Sequence, residues 1–66
     1  MPPHRDLISR RIERSKELLA STDKDVTEIA LEVGFSSHAH FSAAFQRAVG
    51  YAPRTYRNSV RHGALR

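Results

Sequence analysis

Apolar residues recur at helical spacing along nearly the whole chain, and the pattern is interrupted at Gly34 and again at Gly50–Pro53. Few folds of 66 residues satisfy such a layout. Ile8, Ile12, Ser15 and Leu19 make one stripe, with Leu7 and Leu18 beside it, so the spacing predicts a first helix over residues 6–20. The polar run Ser21-Thr22-Asp23-Lys24 reads as a loop. Asp25-Val26-Thr27-Glu28 has the spacing of a capping box, in which Glu28 reaches back to the cap's own N–H. The second helix turns Val26, Ile29, Ala30 and Val33 inward and stops at Gly34, where glycine adopts the left-handed conformation at little steric cost. Phe35 plugs the gap that follows, and Ser36 or Ser37 caps a third helix. There Phe41, Ala44, Phe45 and Ala48 fall at i, i+3, i+4 and i+7, the full stripe of a core-facing side. Gly50 ends that helix. Pro53 opens a fourth one, carrying Thr55, Tyr56 and Val60, because its fixed φ suits a first helical position. The expectation is an all-α domain, with residues 1–5 disordered and residues 63–66 frayed.

Composition narrows the function classes. A domain this short buries only about 60% of its unfolded surface, so its core is marginal and a deep catalytic cleft is excluded. Without cysteine there is neither a disulfide framework nor a thiolate metal cage. No apolar run approaches the roughly 18 residues of a membrane span, and Met1-Pro2-Pro3-His4-Arg5-Asp6 lacks the apolar stretch of a secretory signal. A soluble intracellular protein is the expectation. The net charge of +4 is unevenly placed. All seven acids lie in residues 1–32 beside six bases, whereas residues 33–66 hold Arg47, Arg54, Arg57, Arg61 and Arg66 and no acid. Such one-sidedness suits a polyanionic partner, although on charge alone a solvated basic tail fits equally well.

Two short helices joined by a tight turn at Gly34 form a helix-turn-helix. Small Ala30 lets the two approach, and Phe35 and Phe41 lock the second across the first. In such a unit the second helix is held at an angle that lets it enter the major groove. With Phe41 at the core centre and about 100° per residue, Ala39, Ser42, Ala43 and Gln46 point outward, with His38 and His40 on opposite flanks and Arg47 further along one of them. This face has no acid and no large apolar residue. Gln46 can donate to and accept from an adenine edge, Ser42 suits several bases, and Ala39 or Ala43 can touch a thymine methyl. The same composition also fits a plain solvated helix.

The motifs carry a resemblance to a known family. Arg11-Ile12-Glu13-Arg14-Ser15-Lys16-Glu17-Leu18-Leu19 resembles the linker helix of AraC/XylS-family transcription regulators. Val26 to Ser37 is similar to that family's I-x-E-I-A-x-x-V-G-F-x-S turn, Phe41 to Arg47 to its F-S-R-x-F-K-R run, and Gly50 to Arg57 to its G-x-S/T-P-x-x-Y-R close. The resemblance spans residues 11–61. It implies a homeodomain-like half domain over residues 6–62: a linker helix, a helix-turn-helix and a short closing helix, standing for the second, C-terminal helix-turn-helix of the family's DNA-binding domain. It further implies a sequence-specific transcription regulator that partners duplex DNA in the cytoplasm, at the nucleoid, together with a second such module or subunit. By this resemblance His38, Ala39, Ser42 and Ala43 face bases, to which geometry adds Gln46, while Ser36, Ser37, His40, Arg47 and Arg57 lie at or near the phosphate backbone. Arg54 has two readings, phosphate contact and plain surface charge, and is carried among the phosphate candidates.

Three departures stand out. Ala43 replaces the family's usual Arg and Gln46 a frequent basic residue, which lowers the expected affinity. Ala52 replaces the usual Ser or Thr cap before Pro53, at a cost of about 1 kcal/mol. The first helix-turn-helix of the family is not in this sequence.

Other chemistry finds little support. His38 and His40 are two apart on a helix and share no face, so no metal site is expected, and no cofactor. Ser36, Ser37 and Ser42 lack a local base and orienting acid, which argues against an enzyme. Tyr56 and the three phenylalanines read as core rather than as stacking platforms, His4 and His62 as solvated, and the charges of the first helix as a solvated face. The rival reading is an interaction or dimerisation element that uses Leu7, Ile8 and Leu18 of the first helix.

Overall fold

A computed structural model describes residues 3–62, the side chains of the first few excepted. It contains four helices: α1 (Pro3–Ser21), α2 (Val26–Val33), α3 (His38–Val49) and α4 (Pro53–His62), and no strand among the described residues. α1 begins at Pro3, not at residue 6, so Pro3, His4 and Arg5, expected to be disordered, have helical backbone. Proline at a first helical position explains the earlier start, since its missing N–H is one that the helix leaves unpaired anyway. The expectation of a frayed tail at 63–66 falls outside the described residues.

The core is the set of stripes read from the sequence. Ile12, Leu19, Val26, Ile29, Ala30, Phe35, Phe41 and Phe45 are buried, with Ile8, Leu18, Val33, Ala44, Val49 and Tyr56 packed around them. Ser15 is fully buried in this apolar stripe and donates its hydroxyl to the Ile12 carbonyl at 2.6 Å, so its polar group is satisfied within its own helix. The aromatic rings form a continuous ladder: Phe35 to Phe41 at 5.4 Å, Phe41 to Phe45 at 5.5 Å, and Phe45 to Tyr56 at 5.5 Å between centroids. These are tilted and edge-on contacts, which aromatic quadrupoles favour. Ala48 departs from the expected stripe. It is exposed, because the side of α3 toward its C-terminal end lies against an open groove rather than a helix. Of the three apolar residues assigned to the rival interaction face, Ile8 and Leu18 are half-buried against the core, and only Leu7 is largely exposed.

The helix ends are closed in two ways. α2 stops at Gly34 with φ +109° and α3 at Gly50 with φ +95°. After α2 the Phe35 N–H donates to the Ala30 carbonyl at 2.9 Å and the Gly34 N–H to Leu31 at 3.2 Å, a Schellman-type closure that carries Phe35 straight into the core. α1 has no glycine at its end. Ser21 donates its hydroxyl to the Glu17 carbonyl and Thr22 its hydroxyl to Leu18, both at 2.7 Å. The Leu19 carbonyl takes its donor from α4: Arg57 Nε at 3.0 Å.

Candidate nucleic-acid interface

α3 carries the candidate face, and its orientation follows from its capping and its apolar stripe. Ser37 is the N-cap: its hydroxyl accepts from the His40 N–H at 3.1 Å. Ser36 does not cap. Its hydroxyl lies 3.5 Å from His40 Nδ1. Phe41 and Phe45 are 0% exposed, which rolls the opposite side of α3 outward. There Ala39, Ala43 and Gln46 are exposed and Ser42 is half-buried.

Two grooves flank this strip. On one side Ile8 and Ser9 of α1 face His40, Ala43, Ala44, Arg47 and Ala48 of α3. On the other, Val26 of α2 and Ala52, Pro53 and Arg54 at the start of α4 face His38 and Ser42. The sequence-predicted residues are thereby sorted. His40 and Arg47 line one flank, His38 and Arg54 the other, and the small uncharged residues lie between. Among the described residues neither Arg47 nor Arg54 forms an ion pair.

The acids of α2 and one in the loop before it are engaged. Glu28 Oε1 accepts from the Asp25 N–H at 3.3 Å, the reach-back half of the expected capping box. Glu32 pairs with Lys24, and Asp23 with Arg61 at 3.0 Å. No three His, Asp or Glu side chains gather as metal ligands among the described residues.

Arg57 does not join the candidate face. Its guanidinium is half-buried, with Nε on the Leu19 carbonyl and a terminal nitrogen on the Thr22 carbonyl at 3.1 Å. The bonds it makes are internal ones: those carbonyls at the end of α1 need donors and α4 lies beside them. Arg61 donates to the same Thr22 carbonyl. Arg11 is the residue that the sequence reading missed. Expected on a solvated face, it is half-buried, with its guanidinium carbon 6.0 Å from the centre of the Phe35 ring and its Nε 2.8 Å from where a side chain on Gly34 would begin. Its signal was faint: Arg11 precedes Ile12, and only the path of Phe35 shows which flank of α1 is covered.

An acid-free helix set across a second one by a glycine turn defines a helix-turn-helix domain of the DNA-binding class. The chain matches the helix-turn-helix domain family over residues 1–59 and belongs to the AraC/XylS type of that family. It is 37% identical over 62 residues to the HTH-type transcriptional regulator ArgR of Pseudomonas aeruginosa, covering 94% of this chain and 19% of that protein. It is 36% identical to the probable transcriptional regulator LumQ of Photobacterium leiognathi, over 89% of this chain and 24% of LumQ. To the HTH-type transcriptional activator RhaS of Escherichia fergusonii it is 39% identical, over 86% of this chain and 20% of RhaS. The chain thus spans a fifth to a quarter of the length of these relatives. No solved structure matches it. Among the described residues no helix is long and apolar enough to cross a membrane.

Proposed function

We propose that this chain reads duplex DNA as part of transcription regulation in the cytoplasm, with α3 in the major groove. One observation carries the reading: Phe41 and Phe45 are sealed in the core while Ala39, Ala43 and Gln46 stand exposed between two flanks that carry His40 with Arg47 and His38 with Arg54. Small side chains allow a helix to approach the groove floor, and Gln46 and Ser42 bring hydrogen-bonding groups to base edges. Cations on both sides of the strip suit the two phosphate chains that border a groove. Ser36 and Ser37 lie at the N-terminus of α3, where free backbone N–H groups favour phosphate. A single module covers a short half-site, so a second helix-turn-helix or subunit is the natural partner.

Selection of bound sites from random duplex DNA at two salt concentrations tests this. The expected result is an enriched short sequence and an affinity whose logarithm falls with log salt by about 0.9 for each phosphate contacted. No enrichment and no complex at the lower salt would refute the proposal. A concentration-dependent oligomer indifferent to DNA would favour the interaction reading instead.

A further inference from the structure

We propose that Arg57 is a positioning residue for DNA reading, acting through the α1–α2 loop and not on a phosphate; the inference rests on the DNA-reading function proposed above. α1 ends without a glycine and without a basic residue in its last turn. The negative end of its dipole and its unpaired carbonyls call for a cation. Arg57, 38 residues away, supplies it: Nε donates to Leu19 and a terminal nitrogen to Thr22, at 3.0 and 3.1 Å. Two carbonyls on one planar fork fix direction as well as distance, which a lysine cannot reproduce. Arg61, one turn later, holds the same Thr22 carbonyl and Asp23.

The neighbour of Arg57 completes the argument. Tyr56 packs edge-on against Phe45, on the core side of α3. α4 therefore grips the reading helix with one residue and, with the next, the loop from which α2 departs at Asp25. The angle between α2 and α3 is set at one end by the Gly34 turn and at the other by this strut. The two bonds engage Nε and one terminal nitrogen of Arg57, so a phosphate would meet only the N–H groups that they leave over.

The test uses the full chain with Arg57→Gln and Arg57→Lys, and Arg47→Gln as the phosphate control, each verified as folded by circular dichroism at the assay temperature. Affinity for a duplex recovered by the selection and for a scrambled duplex is titrated against salt. Both Arg57 variants are expected to lose about tenfold in the ratio of the two affinities, the scale of one lost base contact, with the salt slope unchanged. Arg47→Gln is expected to lower the slope by about 0.9 and keep the ratio. A slope lowered to the same extent in Arg57→Gln, and restored by Lys, would overturn the proposal in favour of a phosphate contact. An unchanged ratio in the folded variants would also overturn it, leaving Arg57 a stability element alone. Should the Gln variant not fold, the Lys variant gives the same two readouts. Failure of the unaltered chain to select any sequence would sink the DNA reading itself, and is distinguished from the other outcomes by that arm.

Discussion

The two ends of α2 are held by opposite means. At its C-terminal end the closure is local: Gly34 turns left-handed, Phe35 bonds back to Ala30, and the next helix begins within four residues. At its N-terminal end the loop is held from afar, by Arg57 and Arg61 on carbonyls 35 to 39 residues away in sequence. The local device depends on a backbone torsion that one residue type supplies. The remote device depends on α4 packing correctly first, which Tyr56 and Phe45 secure. This helix-turn-helix thus has a second clamp, outside its turn.

The largest expected effect falls on the local end. Gly34→Val places a β-branched residue at φ +109° and displaces Arg11. A loss of about 3 kcal/mol is expected, enough to unfold much of a marginal domain, and thermal melting checks it. Arg57→Gln comes next. It leaves the part-buried Leu19 carbonyl without its donor and should cost about 1–3 kcal/mol by denaturant titration. If it costs more than Gly34→Val, the ranking of the two ends is wrong.

Smaller effects sharpen the picture of α4 as a strut. Ala52→Ser restores a capping hydroxyl where the Tyr56 N–H already meets the Ala52 carbonyl at 2.9 Å, and should raise stability by about 1 kcal/mol. Asp23→Asn removes only the outer partner of Arg61, whose carboxylate is almost fully exposed, and should change stability by under about 1 kcal/mol. A larger effect would mean that Arg61 is held by charge and not by the Thr22 carbonyl.

What could be read in advance follows the same division. The Gly34 turn, the burial of Phe35, Phe41 and Phe45, and the outward face of α3 all come from spacings of a few residues, where helical geometry is a sufficient guide. What could not be read in advance is nonlocal. The internal bonds of Arg57 could not be foreseen, because an arginine in an acid-free segment shows its charge but not its partner, and backbone carbonyls leave no mark in composition. Arg11 looked solvated because the covering of its flank depends on where Phe35 lands. Ala48 fitted the stripe of α3, yet no helix covers that position. The flanking of the exposed strip of α3 by two grooves was half readable, since periodicity put His38 and His40 on opposite sides, but that His38 shares its groove with Arg54 required the fold.

Crowding at Gly34 has a consequence for how this module can drift. At Gly50 an added Cβ would meet nothing within 4 Å, so a side chain there meets only the strain of φ +95°, which asparagine bears best. At residue 34 the strain of φ +109° comes with a neighbour: an added Cβ would lie 2.8 Å from Nε of Arg11, so that flexible side chain would have to shift where it lies by the Phe35 ring. Residue 11 of α1 and the turn residue 34 therefore share one contact, and what can be placed at either depends on the reach of the other.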